Sequence, residues 1–91
     1  MIIKYSQSFL NKLEDLFSET DYSLRYEKGN FKPGHCLIRD SRVAVINKYY
    51  PLEGKINALV ELIRSIEIRT DRLSEKNQKL FEELSQMEAR I

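Results

Sequence analysis

The segment that decides the fold is residues 56–91, which read INALVELIRSIEIRTDRLSEKNQKLFEELSQMEARI. Eleven positions recur along it at a spacing of three or four, and nine of them are apolar: Ile56, Leu59, Ile63, Ile66, Thr70, Leu73, Asn77, Leu80, Leu84, Met87 and Ile91. A seven-residue repeat of this kind keeps one side of a helix facing a partner helix. Because no Gly or Pro follows Gly54, we expect one helix from about residue 52 to residue 90, extending as a coiled coil.

The predicted function of this helix is self-association into a dimer or a tetramer. The predicted oligomerisation seam consists of Ile66, Leu73, Asn77, Leu80, Phe81, Leu84, Met87 and Ile91. Asn77 is polar on this seam, where it would pair with its copy and fix the alignment, so Asn77→Leu should raise thermal stability. The sequence also allows an alternative in which the helix breaks near Thr70 and Asp71, which can cap a new helix, and folds back on the core.

Composition indicates one small domain and excludes few partners. The chain has 91 residues, with 15 Lys and Arg against 14 Asp and Glu, so no overall charge attracts nucleic acid or an anionic membrane. We assign residues 1–69 to a small core domain and residues 70–91 to a helical extension. Residues 22–57 are mildly basic, with seven basic and three acidic side chains. The sequence favours a non-enzymatic protein without a cofactor.

The expected location is the cytoplasm. Cys36 is the single cysteine, which excludes an intramolecular disulfide and fits a reducing compartment. The first residues, MIIKYSQSF, contain no long apolar run and no small-residue cleavage site, so we expect neither a secretion signal nor membrane association.

The N-terminal part predicts an α+β fold. Apolar residues recur at helical spacing from Phe9 to Phe17, which indicates a helix over about residues 7–19. Alternation then predicts strands over residues 22–27, 35–39 and 43–48. The short Asp40-Ser41 connection pairs the last two strands antiparallel. We expect a three-stranded antiparallel meander, covered on one face by the first helix and the start of the long helix.

Residues 43–64 resemble the hairpin strand and following helix of the ImmA/IrrE type of small zinc peptidase. Members of that family carry His-Glu-x-x-His on this helix, and the matching residues here are Val60-Glu61-Leu62-Ile63-Arg64. The glutamate is present, but both zinc-binding histidines are replaced. A glutamate alone cannot hold the metal. The resemblance therefore implies a metal-free relative used for binding, without peptidase activity.

Two further motifs receive structural interpretations. His35 and Cys36 are adjacent, so in a strand they point to opposite faces and cannot easily form a nucleophile–base pair. We expect Cys36 to be buried as a small hydrophobe and His35 to lie at the surface or pack on a turn. The stretch from Gly29 to Gly34 lacks the ending of a phosphate-binding loop and precedes a strand, so we interpret it as a hairpin connection in which glycine supplies a positive φ.

The leading alternative function uses a basic surface on the sheet. Its candidate residues, for nucleic acid or a protein partner, are Arg25, Lys28, Phe31, Lys32, Arg39, Arg42 and Lys48. Lysine and arginine would neutralise phosphates while aromatic rings stack on bases. The same residue types also fill the solvent face of any small sheet. The sequence therefore favours a self-associating protein-interaction module with an unknown client, and nucleic-acid binding is the alternative.

Overall fold

The computed structural model describes residues 3–29 and 34–86. The elements, in chain order, are α1 (Gln7–Ser18), β1 (Ser23–Glu27), β2 (His35–Ile38), β3 (Val43–Asn47), α2 (Leu52–Ser65), a short 3₁₀ helix (Thr70–Arg72) and α3 (Glu75–Gln86). Ser6 caps α1 by accepting a hydrogen bond from the Phe9 backbone N–H at 3.1 Å. The α+β class predicted from the sequence is confirmed.

The sheet is mixed, so the predicted antiparallel meander is wrong. β3 lies in the centre, with β1 on one side and β2 on the other. β2 pairs with β3 antiparallel, as the short turn between them requires, but β1 pairs with β3 parallel. β1 ends at Glu27, beside Asn47 of β3, and β2 begins at His35, beside Ile46, so the two strands lie on opposite sides of the C-terminal half of β3. The apolar strand Val43–Asn47 therefore takes the central position, with a partner on each edge.

Asn47 binds the residues that follow β1 and precede β2. Its side-chain Nδ2 donates to the Gly29 carbonyl at 3.0 Å, and its backbone N–H donates to the Gly34 carbonyl at 2.7 Å. The Gly34 N–H in turn donates to the Tyr50 hydroxyl at 2.8 Å. These bonds satisfy backbone groups that the sheet ladder leaves free. They also fix the start of β2.

One face of the sheet carries the core. Ala44 and Ile46 point to this face and are buried, and α1 and α2 pack over it. Because strand side chains alternate, His35 and Leu37 of β2 also point inward and Cys36 points outward. Cys36 is exposed, so its predicted burial is wrong. The His35 side chain is only 12% exposed, so of the two positions predicted for it the open surface is wrong.

A polar contact joins α1 to β1. The Tyr26 hydroxyl donates a short hydrogen bond to the Glu14 carboxylate, and the Lys55 ammonium lies 5.4 Å from the centre of the same ring. Burial, and after it the Glu14 carboxylate, holds the pKa of Tyr26 well above its usual range. Tyr26 therefore stays protonated, and its contribution is structural.

The predicted single C-terminal helix is also wrong, because α2 ends at Ser65 and α3 begins at Glu75. The Ser65 hydroxyl donates back to the Glu61 carbonyl at 2.7 Å, a bond that competes with helix continuation. Ile66 then adopts an extended conformation, with φ −105° and ψ 156°, and is buried in the core. β-branched residues have a modest helix propensity. The alternative of a fold-back on the core matches the structure in outline, but Thr70 and Asp71 lie in the 3₁₀ helix and do not start α3.

The seam predicted for oligomerisation faces the chain's own core. Ile66, Leu73 and Leu84 are buried. Leu80 and Phe81 are half-buried and pack against the hydrophobic core that contains Ile66 and Leu84. Met87 and Ile91 lie outside the described residues. A stripe at a spacing of three or four serves an intramolecular core as well as a partner helix, because the spacing carries no information about what covers it. The coiled coil is therefore not formed, and self-association stays a prediction without support from these contacts.

Candidate ligand-binding groove

The basic residues singled out in the sequence lie at different places on the sheet. Arg39 and Arg42 lie in the turn between β2 and β3, whereas Lys28 and Lys48 lie at the opposite end of the strands. A five-residue strand separates these ends by roughly 15 Å. Arg25 lies between them on the exposed face, and Phe31 and Lys32 fall outside the described residues. The described members do not converge on one surface.

Most of these side chains also have partners. The guanidinium of Arg25 lies 2.7 Å from the Glu27 carboxylate, and that of Arg42 lies 3.9 Å from Asp21. Arg39 donates to the Ser65 carbonyl at 3.4 Å. The Lys48 ammonium lies 5.3 Å from the centre of the Tyr49 ring. A dispersed and partly neutralised set offers little to a continuous phosphate backbone.

A different set of residues forms a half-open groove of about 460 Å³ between α1 and α3. The residues that line this α1–α3 groove are Lys4, Phe9, Lys12, Lys76, Asn77, Lys79, Leu80 and Glu83. Its volume falls in the range of about 300–1,000 Å³ typical of ligand sites.

Helical periodicity on both walls produces the groove. On α3 the lining positions 76, 79, 80 and 83 share one stripe, and on α1 positions 9 and 12 do the same. The two helices run antiparallel, since Asn77 near the start of α3 bonds to Asp15 and Glu19 at the end of α1. Two helical stripes therefore face each other across the opening.

The groove combines an apolar floor with a basic rim. Phe9 is only 6% exposed and Leu80 is half-buried, whereas the four lysines are exposed. Among the described residues that line the groove Glu83 is the single acid, so the charges of these lining side chains sum to four minus one, or +3. Long lysine side chains can lie along an apolar surface and keep their charge in water. This arrangement suits a ligand that is anionic and partly apolar.

A polar network fixes one end of the floor. The Asn77 Nδ2 donates to Asp15 Oδ2 and to Glu19 Oε1, both at 3.0 Å, and Glu19 also accepts from the Ser74 N–H at 2.8 Å. The bond from Asn77, followed by that from Ser74, holds the pKa of the Glu19 carboxyl below its ordinary value. Asn77 thus joins α3 to the end of α1 within one chain.

Most lysines of the rim form no ion pair with another described residue. The Lys76 ammonium lies 3.6 Å from the Asp15 carboxylate. Among the residues that the structure describes, Lys4, Lys12 and Lys79 form no ion pair. Three ammonium groups are therefore available to an incoming anion.

We expect Asn77→Leu to lower the free energy of unfolding by about 1 kcal/mol, opposite in sign to the effect that an oligomerisation seam predicts. The variant loses two hydrogen bonds to carboxylates, which outweigh the apolar gain of leucine. Urea unfolding at neutral pH measures the difference. The pKa of Glu19 is lowered in the folded protein. Its contribution to the free energy of unfolding is therefore fully present at pH values above its ordinary pKa of 4.5 and is lost as the pH falls through the folded-state pKa.

The difference in free energy of unfolding between wild type and Asn77→Leu should therefore become smaller at acidic pH. Asp15 on α1 and Lys76 on α3 are the other charged groups that face this network. If Asn77→Leu instead raises stability, the polar bonds contribute less than apolar contact at this position, and the intramolecular tie is disproved.

The region that resembles the zinc peptidases has the expected strand–turn–helix shape, with β3 followed by α2. The His35 Nε2 lies 3.7 Å from the Glu61 Oε2, and the buried His35 Nδ1 has no hydrogen-bond partner. Within residues 3–29 and 34–86, no group of three or more His, Cys, Asp or Glu side chains could hold a metal ion. The relationship to that family stays a hypothesis.

Comparisons with protein-family models, with curated proteins and with solved structures find no match to this chain. No helix in the described part of the chain has the length and apolar character needed to span a membrane. The site must therefore be interpreted from its own residues.

Sequence reasoning did not identify the groove. Its rim residues Lys4, Lys12, Lys76 and Lys79 are far apart in the chain, and none belongs to the basic segment of residues 22–57. One signal was present, because Lys76, Lys79 and Glu83 follow one another at a spacing of three and four residues on the side of the helix that carries Leu80. That signal becomes a site only when α3 folds back beside α1.

Proposed function

We propose that this protein is a non-enzymatic interaction module that binds an acidic, partly apolar segment of another protein in the α1–α3 groove. The observation that carries this proposal is the ring of four lysines around an apolar floor, with one glutamate among them.

Charge complementarity favours an acidic ligand. Lys4, Lys12 and Lys79 form no ion pair within residues 3–29 and 34–86, and their charges would attract carboxylates and steer their approach. Apolar contact with Leu80 would add burial of surface that is now half-exposed. The ligand therefore needs both acidic and apolar side chains.

The groove suits nucleic acid less well. Recognition of single strands depends on exposed aromatic rings on which bases stack. Phe9 is the aromatic residue of the lining and is 6% exposed, so its ring face is not available. The described residues that line the groove also include no His, Cys or Ser, the side chains most often used as nucleophile or general base. Binding is the function that these residues support.

A charge-reversal experiment tests the proposal. The probe is a fluorescent peptide of about 14 residues composed of Glu, Leu and Ala, a length near the limit for an isolated helix. We expect wild type to bind it with an affinity that falls with salt. The double variant Lys12→Glu/Lys79→Glu should weaken binding at least about tenfold. Fluorescence anisotropy titration measures both affinities.

The matched control is Lys28→Glu/Lys48→Glu, which makes the same change of charge at the end of the sheet. It should leave peptide affinity within about twofold of wild type. Equal weakening by both pairs would show a general effect of charge and contradict the groove. Tighter binding of labelled single-stranded DNA than of the peptide, lost in the control pair, would favour the nucleic-acid alternative. Sedimentation of wild type in the same buffer tests self-association separately.

A further inference from the structure

We infer that the segment bound in the α1–α3 groove is an amphipathic helix of about two turns or more that lies along the groove, with acidic side chains on both flanks of its apolar stripe. This inference rests on the proposed function and adds the conformation and residue pattern of the partner.

The backbone of the walls supplies the first argument. Between Gln7–Ser18 and Glu75–Gln86, the groove is formed by two helices whose backbone groups bond within each helix. An extended segment would find few free N–H or C=O groups there and would leave its own unpaired. A helix satisfies its backbone internally, so it can lose water in this groove without that penalty.

The dimensions agree with a helix. From Lys76 to Glu83 the lining stripe of α3 runs over seven residue steps, or about 10.5 Å at 1.5 Å per residue. Two helical turns have the same length. Apolar residues three or four positions apart on the incoming helix would contact Leu80, beside the buried ring of Phe9.

The distribution of lysines determines the pattern of acids. Lys12 lies on α1 and Lys4 just before it, whereas Lys76 and Lys79 lie on α3. A helix placed between the walls presents one flank to each wall. Acidic residues on both flanks would therefore each meet a lysine, whereas acids on one flank would meet only one wall.

The sheet offers a contrasting surface. β1 and β2 form its two edges, and edge strands are where an extended peptide pairs through its backbone. The rim lysines of the groove lie on α1, on α3 and before α1, away from these strands. An extended ligand that binds at an edge should be insensitive to Lys12 and Lys79.

Three peptides of identical length test the inference. The first has leucines at helical spacing with glutamates on both flanks, and the second has the same composition in scrambled order. The third keeps the first pattern but replaces a central alanine with proline, which breaks the helix. Each is titrated into wild type and into Lys12→Glu/Lys79→Glu at about 50 mM salt, and circular dichroism follows peptide helicity.

We expect the patterned peptide to bind at least about tenfold more tightly than the other two and to gain helicity on binding. Equal affinities for all three, reduced by the lysine reversals, would overturn the helical inference and leave the proposed function standing. Binding unaffected by the reversals would remove the groove as the site and overturn both. If none of the three binds, the proposed function fails, and the helical inference fails with it.

Discussion

We expect Leu84→Ala to lower the free energy of unfolding by about 2–5 kcal/mol, the range for removing a leucine side chain from a close-packed core. Leu84 is completely buried and belongs to the cluster formed by α1, α2 and the sheet. In a chain of this size each kcal/mol lowers Tm by roughly 4–8 °C. Urea and thermal unfolding at several protein concentrations measure the effect.

The concentration series separates the two interpretations of the C-terminal segment. An intramolecular contact gives a midpoint independent of protein concentration, whereas a coiled coil gives one that rises with it. Glu82→Ala is the matched control, since Glu82 is exposed on the same helix. A small effect of Leu84→Ala, or a wild-type unfolding midpoint that rises with protein concentration, would favour the interpretation of this segment as an intermolecular seam.

We expect Gly34→Ala to cost about 1–3 kcal/mol, because the added methyl group would overlap a side chain that cannot easily move. A Cβ at Gly34 would fall on the ring carbons of Tyr50 and lie 2.6 Å from its hydroxyl oxygen. That hydroxyl accepts the hydrogen bond from the Gly34 N–H. Shifting the ring would therefore also break the anchor of β2.

The chain provides a matched control for this prediction on the other side of the same ring. A Cβ at Gly54 would lie 3.2 Å from two ring carbons of Tyr50, and alanine gains about 1 kcal/mol of helix propensity over glycine. Gly54→Ala should therefore be close to neutral. In a Tyr50→Ala background the cost of Gly34→Ala should fall below about 0.5 kcal/mol. An unchanged cost in that background would show that the ring is not the obstacle.

Local sequence patterns predicted the helices and strands of the N-terminal part well, but they predicted the pairing of the strands and the course of the C-terminal segment less well. The stripe from Phe9 to Phe17 and the alternation in Val43–Asn47 identify α1 and β3, since each pattern is a property of consecutive residues. The parallel pairing of β1 with β3 depends on the order of the strands in the sheet, which periodicity does not encode. The break after Ser65 carries neither Gly nor Pro, the residues that most clearly signal helix termination in a sequence.

The candidate site was beyond sequence reasoning for a related reason. The lysines of the groove are unremarkable on each helix alone, where charged residues normally face solvent. They become a site because Leu84 and Asn77 place α3 against α1. Basic residues that are close in sequence, such as Arg39 and Arg42, form a pattern that is visible in the sequence itself, but they lie in the turn between β2 and β3.

The packing of α3 against α1 has a consequence for synthesis on the ribosome. Asp15 bonds to Asn77, 62 positions later in the chain, and Leu84 completes the buried cluster that begins at Phe9. β1 likewise needs β3 as its partner in the sheet. The first thirty or so residues therefore leave the ribosome with their apolar side chains uncovered. We expect the core to close only once the residues up to Leu84 have been synthesised, so folding of this unit cannot be completed from its N-terminal elements alone.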